Sequence, residues 1–216
     1  NGPIARPVDF SYIWGDALAI FQQEKPQAKI INLETAITRS GAHWRGKEVH
    51  YKMSPENFGC LTAAGIDCCI LANNHMLDWG IPGLIESLNA LDNAGIKHAG
   101  AGRNLREAQQ PATLPIREAS RVIVFSLGST TSGIPTAWLA EEDRPGLYVI
   151  ETQGNDPIRT LARQIDEVKQ SGDIVIASIH WGGNWGYKIP GNQKEFAHRL
   201  VDEAGVDIVH GHSSHH

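Results

Sequence analysis

The chain reads IDCCILANNH over residues 66–75, an apolar run that ends abruptly in two asparagines and a histidine. A continuous apolar run, unlike an alternating one, is typical of a strand that is covered on both faces. Similar runs recur along the chain. Together they predict five strands, at residues 29–33, 67–72, 121–128, 173–180 and 207–210.

Helical patterns separate the predicted strands, and their ends carry recognisable signals. Pro157 follows Asp156 at a first helical position, a leucine face marks a second helix over 82–94, and Asn192 with Glu195 resembles a capping box. Helices of this length are the usual crossovers between parallel strands. The pattern therefore predicts an α/β class built on a largely parallel sheet.

Composition excludes several classes of function. The chain has 216 residues and a formal net charge of −5 with the charges scattered, so it carries no basic footprint for nucleic acid. No apolar stretch is long enough to span a bilayer. The cysteines Cys60, Cys68 and Cys69 predict buried free thiols, which favours a cytoplasmic location. A membrane-anchored extracellular location stays open if a segment precedes this sequence.

Polar residues capable of metal binding or proton transfer stand where the predicted strands end. Glu34, Asn74-His75, His180 and His212 follow four different strands. The carboxyl ends of parallel strands meet at one edge of a sheet, where ligands bind. Imidazole, carboxylate and amide groups together suit Zn, Mn or Fe. The sequence thus predicts a metal or catalytic site, although taken singly His180 could be structural and Glu34 a helix cap.

Five segments in this order also resemble a known family. They are INLE (31–34), ANNHMLDWG (72–80), AGIKHAGAG (94–102), IHWGGNWGY (179–187) and EAGVDIVHGHSSHH (203–216). They are similar to the CapA/PgsA family, which is associated with poly-γ-glutamate capsule synthesis and belongs to the calcineurin-like metallophosphoesterase superfamily. The resemblance implies a layered β-sandwich flanked by helices that holds two divalent transition metal ions, Mn, Zn or Fe.

The resemblance also implies roles for individual residues. The metal ligands would be Glu34, Asn74, His180, His212 and His215. His75 would be the catalytic acid, and Asp78 would orient its ring, since a carboxylate partner fixes the orientation of an imidazole.

The sequence departs from the family pattern in three places, one of which is Asn184, where the family commonly has an acidic residue in its His-Trp-Gly motif. The opening strand with its Gly-Asp motif has no counterpart, because Gly15-Asp16 lies in YIWGDALAIF, which predicts an amphipathic helix. The sequence also stops directly after the last motif. We therefore expect a single, incomplete CapA-like domain over 1–216, lacking its first strand and its C-terminal part.

Two functions follow from the resemblance. The first is a metal-dependent hydrolase that acts on a phosphoester or a glutamyl amide, with an anionic small molecule or polyglutamate as substrate. The second is a non-catalytic component that binds polyglutamate, using the long loop predicted at 129–147 and the aromatics Trp181, Trp185 and Tyr187. With either function, the chain could work in a membrane-associated synthase complex. An unrelated (β/α) barrel metallohydrolase would need eight βα units, whereas about five are visible.

Overall fold

The computed structural model describes residues 2, 4, 6–117, 120–152 and 156–215. The strands are β1 (Ile30–Asn32), β2 (Ala36–Ile37), β3 (Lys52–Met53), β4 (Cys68–Ile70), β5 (Lys97–Ala99), β6 (Ala101–Gly102), β7 (Ala112–Arg117), β8 (Ser120–Gly128), β9 (Gly146–Leu147), β10 (Ile174–His180) and β11 (Ile208–His212). The α-helices are α1 (Ala17–Glu24), α2 (Gly59–Ala63), α3 (Gly80–Ala94), α4 (Leu105–Gln109), α5 (Pro157–Val168) and α6 (Gly191–Asp202).

All five predicted strands are confirmed, as β1, β4, β8, β10 and β11. They pair in two sheets rather than one. The first sheet has the order β1-β4-β5 and is parallel throughout. The second has the order β11-β10-β8-β7, in which only β7 runs antiparallel to its neighbour. The expectation of one parallel sheet is therefore wrong, and two separate open sheets are not the closed ring of a barrel.

The two sheets share an apolar cluster. Cys68 and Ile70 of β4 belong to the same buried cluster as Leu114 of β7 and Val122 and Val124 of β8. Strands that pack against another sheet have the same apolar sequence pattern as strands that pack against helices, because both environments exclude water. This is why the sequence pattern predicted burial correctly and yet missed the second sheet.

Helices cover the opposite faces of both sheets. Leucines of α3 pack in one cluster with Cys69, so the adjacent Cys68 and Cys69 do point to opposite sides of their strand. Residues of α5 and α6 pack in another cluster with Phe125 and Val175 of the second sheet. All three cysteines are free and buried. The structure thus confirms a mixed α/β class.

The helix ends agree only in part with the sequence patterns. Asp156 caps α5 as predicted, with its side chain accepting a hydrogen bond from the Arg159 amide. The capping box at Asn192 is wrong, because it requires a helix that begins at Gln193, whereas α6 begins at Gly191 and has no side-chain cap. Pro190 occupies the capping position instead.

The segment 129–147 is irregular, as predicted, but much of it lies in the interior. It contains two short 3-10 helices, Thr130–Ser132 and Thr136–Trp138, and the strand β9. Trp138 and Leu147 are fully buried in the cluster that also holds the leucines of α3. The segment is therefore an anchored part of the core. No helix among the described residues is long and apolar enough to cross a membrane.

Candidate functional site

A buried histidine–carboxylate pair lies just beyond the end of β4. The Nδ1 of His75 donates to Oδ2 of Asp78 over 2.6 Å, and Asp78 is completely buried. Because a carboxylate only accepts hydrogen bonds, Nδ1 carries the proton and the opposite ring nitrogen, Nε2, is left for other partners. The ring of Tyr51 stacks on the His75 ring at 4.0 Å between centroids. These contacts fix the plane in which the imidazole lies.

Lys47 completes this pair, and no sequence signal pointed to it. Its Nζ donates to Asp78 Oδ1 over 2.6 Å and to the backbone carbonyl of Asn74, and it lies 3.3 Å from His75 Nδ1. Burial lowers the pKa of Lys47, although the hydrogen bond and charge of Asp78 oppose this effect. Lys47 also lies over the ring of Trp138 at 5.1 Å.

Asp78 stays ionised because its neighbours outweigh its burial. Burial alone would raise the pKa of this carboxyl group, whereas hydrogen bonds from His75, Lys47 and the Tyr51 amide bring it below its usual value. The Trp44 amide in turn donates to the Asp78 carbonyl over 2.7 Å. The segment around residues 44–51 therefore wraps the pair and holds it in one geometry.

Two further predicted residues meet across the parallel pair of β10 and β11. His180 stands opposite His212 in the strand register, and their Nδ1 atoms lie 2.6 Å apart. His180 Nε2 also lies 3.2 Å from Oδ1 of Asn74, which follows the first sheet. Burial, with smaller contributions from neighbouring charges, lowers the pKa of His180 to about 4 and that of His212 to about 3. Both rings are therefore neutral near pH 7.

Neutral rings allow one assignment of protons that satisfies every contact. His180 Nε2 donates to the Asn74 oxygen, and His212 Nδ1 donates to His180 Nδ1. Ser178 Oγ then donates to His212 Nε2 over 3.2 Å and accepts from His210 Nδ1 over 2.9 Å. The result is a continuous chain of hydrogen bonds from exposed His210 to Asn74.

Glu34 and His215 lie near this group without joining it. Glu34 Oε2 accepts from the Asn32 side chain over 2.7 Å, and its charge acts on Lys47. His215 is exposed and pairs with Trp185, their ring centroids 5.4 Å apart. The structure thus brings Asn74, His180 and His212 into contact but not Glu34 and His215, and all five residues stay predictions as metal ligands. Asp16, not expected to be a ligand, precedes α1.

The donor set fits a divalent cation in chemical type. The neutral ring of His180 contacts both the neutral ring of His212 and the amide oxygen of Asn74, and metal ligation requires imidazole in its neutral form. Over the described ranges of the chain, no group of three or more His, Cys, Asp and Glu side chains has the spacing of a metal site. The third donor in this set is an amide, which is not among those four residue types.

Asn73, the first of the two asparagines that end the apolar run, has a structural role. Its buried side chain donates to the Leu33 carbonyl and to Asn32 Oδ1, and accepts from the His75 amide over 3.1 Å. It therefore ties the end of β1 to the turn after β4. The adjacent asparagines thus have different roles. Asn73 fixes the backbone of the turn after β4, and the side-chain oxygen of Asn74 contacts His180.

Comparisons with known proteins agree with these motifs. The chain is 45% identical over 217 residues to a probable polyglutamine synthesis accessory protein of Mycobacterium tuberculosis. It is 28% identical over 169 residues to the capsule biosynthesis protein CapA of Bacillus anthracis, and 28% over 170 residues to the PGA biosynthesis protein CapA of Bacillus subtilis. The two Bacillus alignments each cover 78% of this chain, and 39% and 42% of the respective relatives.

The mycobacterial alignment includes 100% of this chain, which spans 57% of the length of that relative. The family model described as bacterial capsule synthesis protein PGA_cap matches residues 2–216. That match covers nearly the whole sequence, and the chain therefore belongs to the PGA_cap family of bacterial capsule synthesis proteins.

Proposed function

We propose that the chain is a metal-dependent hydrolase of the metallophosphoesterase type that serves poly-γ-glutamate synthesis. Its substrate would be a phosphoester or an amide linked to glutamate. The observation that carries the proposal is the meeting of Asn74, His180 and His212, from two sheets, beside the buried pair of His75 and Asp78.

The site residues would have separate roles as metal ligands, as the general acid and as positioning groups. Asn74, His180 and His212, with Glu34 and His215 as further ligands, would hold one or two Mn, Zn or Fe ions. When bound, such ions supply Lewis-acid polarisation of a phosphoryl or carbonyl group. His75 in its doubly protonated form would deliver the Nε2 proton to the leaving group, while its Nδ1 proton stays hydrogen-bonded to the Asp78 carboxylate. Lys47 keeps Asp78 in place.

The layering of the fold supports the metallophosphoesterase type. Two sheets face one another and helices lie on their outer faces, which suits a layered sandwich in a single domain. The names of the relatives support a role in polyglutamate or capsule synthesis. An accessory protein of that process would work with a membrane-associated synthase.

A second candidate is a non-catalytic component that binds the polymer. Trp185 and Tyr187 favour it, because their side chains are 79% and 83% exposed beside the site. Trp181 is half-buried and packs on Phe196 at 5.8 Å between ring centroids. Exposed aromatic rings next to a cluster of neutral histidines would also suit recognition without reaction.

Metal content and turnover of the full-length protein separate the two candidates. We expect stoichiometric transition metal in the purified protein and its loss in His180→Ala. His75→Ala should keep the metal and lose about 10²- to 10⁴-fold in turnover of bis(p-nitrophenyl) phosphate or γ-glutamyl p-nitroanilide, the range typical of a lost general acid. His98→Asn, remote on β5, is the matched control and should change neither quantity. A metal-free protein that still binds polyglutamate would overturn the hydrolase and support the second candidate.

A further inference from the structure

A groove of about 600 Å³ opens beside the candidate site. One wall is the loop over residues 181–190, and the other is the first half of α6. The floor contains Gly211, His212 and Ser214. The groove therefore shares His212 with the histidine contacts described above.

Backbone and side-chain contacts join the loop to the strand that carries His212. The Trp181 amide donates to the His212 carbonyl over 3.2 Å, and Ser213 Oγ donates to the Gly182 carbonyl over 3.2 Å. A Cβ on Gly211 would lie 3.0 Å from Trp181 Nε1, so the floor needs a small residue there. The groove is thus built onto the end of β11 and leads directly to the site.

The charges that line the groove have one sign. Lys188 and Lys194 are exposed on its two walls, and His198 stands one helical turn beyond Lys194. None of the described residues that line the groove is an aspartate or a glutamate. The chain as a whole has a formal net charge of −5, whereas the groove is lined by lysines without acidic residues. This local excess of positive charge favours an anionic ligand.

The rest of the lining is apolar. Trp181, Ile189 and Ala197 line the groove between the charged positions, and Ile189 is 59% exposed. Trp185 and Tyr187 stand exposed at the rim. A ligand that suits this surface alternates methylene groups with anionic groups. Nucleic acid is disfavoured, since its dense phosphate charge calls for a larger basic surface than two lysines.

We infer that this groove binds an extended polycarboxylate chain of the glutamyl type, with its carboxylates at Lys188 and Lys194 and its methylenes on the apolar residues. One end of the bound chain reaches His212. The assignment of that end as the reacting end rests on the proposed function, whereas binding in the groove does not require hydrolysis.

Binding of a fluorescent ten-residue γ-glutamate oligomer to the full-length protein tests the inference. Fluorescence anisotropy should show saturable binding that weakens as salt is added. Lys188→Glu with Lys194→Glu should raise the Kd by roughly tenfold or more, because charge reversal turns two attractions into repulsions. Lys97→Glu, an exposed lysine on β5 outside the groove, is the matched control and should leave the Kd unchanged. Thermal melts verify that the variants are folded.

Each outcome decides a separate question. An unchanged Kd in the double reversal, or an equal loss in the Lys97 variant, would overturn the groove. Equal binding of a single-stranded DNA of matched length would overturn the polycarboxylate assignment. A protein that binds the oligomer through these lysines yet holds no metal would refute the hydrolase and leave the groove standing. Stoichiometric metal with turnover but without oligomer binding would refute binding in the groove and leave the hydrolase standing.

Discussion

At the scale of single residues, the site depends on the hydrogen bonds that the two carboxylate oxygens of Asp78 accept. Oδ1 accepts from Lys47, and Oδ2 accepts from His75 and from the Tyr51 amide. The side chains of Lys47 and His75 are largely buried and that of Asp78 is completely buried, so loss of the carboxylate leaves two polar groups without compensation. Removing one member of a buried ion pair is more costly than replacing both with apolar groups.

Asp78→Asn should therefore lower the free energy of unfolding by about 3 kcal/mol, since it leaves the Lys47 ammonium buried without its carboxylate. Lys47→Met should cost less, because Asp78 keeps His75 and the Tyr51 amide. The double variant should be more stable than the sum of the two losses predicts, with a coupling of about 1 kcal/mol or more in urea unfolding. Strictly additive losses would contradict a shared carboxylate. Glu56→Gln, which breaks an exposed ion pair with Arg39, should have no measurable effect.

The sequence predicted His75, Asp78, Asn74, His180 and His212 because each stands in a recognisable motif or at a strand end. Lys47 was not predicted because its segment has no hydrophobic periodicity and no motif. Only the tertiary fold brings Lys47 to Asp78. Distance along the chain is the reason, since 31 residues separate the two partners.

At the scale of elements, a buried carboxylate fastens the start of β10 to the start of β8. Asp173 accepts from the backbone amides of Arg121 and Gln170 and from the Arg121 guanidinium. The same guanidinium donates to the Val168 carbonyl at the end of α5 over 2.9 Å. One side chain thus fixes the position of a strand, its neighbour and the preceding helix.

This arrangement predicts an acid-sensitive contribution to stability. The hydrogen bond from Arg121 lowers the pKa of Asp173 from 3.8 to about 2. The folded protein therefore binds this proton less readily than the unfolded chain, and the stabilisation is present above pH 4 and lost as the pH falls towards 2. Asp173→Asn should lower the Tm at pH 7 and show a smaller fall in Tm over that acid range. Asp166→Asn, exposed on α5, should follow the unchanged protein at every pH.

Edge elements account for most of what the sequence did not predict. Strand β7 contains Pro115 and lies at the border of its sheet, where a missing amide proton is tolerated. Strands β2, β3, β6 and β9 have two residues each, too few for any period to show. The long central strands were predictable because their burial on both faces produces an unbroken apolar run.

At the scale of the whole molecule, the candidate ligands come from both sheets. Asn74 follows β4 of the first sheet, whereas His180 and His212 end β10 and β11 of the second. A ligand held by all three would fasten one sheet to the other. Unfolding would then require release of that ligand, so its binding should stabilise the fold as a whole.

Under the proposed function, Mn²⁺ or Zn²⁺ should raise the Tm of protein first stripped with EDTA. At a free metal concentration about 100 times the Kd, the gain is about 2.7 kcal/mol. That corresponds to roughly 5–10 °C for a chain of this size. His212→Ala should abolish the gain, and His98→Asn should keep it. An equal gain in the His212 variant would place the metal elsewhere.

The hydrogen-bonded chain from His210 to Asn74 has a consequence for signalling across the second sheet. Because the Asn74 oxygen only accepts, the series runs in one direction and holds each histidine in a single tautomer. A cation that took the place of the proton on His180 Nε2 would shift that proton to Nδ1 and reverse every hydrogen bond of the series, so the tautomer of exposed His210 would change without movement of any heavy atom. The outer imidazole therefore reports, through its ¹⁵N resonance, on events at a nitrogen that solvent never touches.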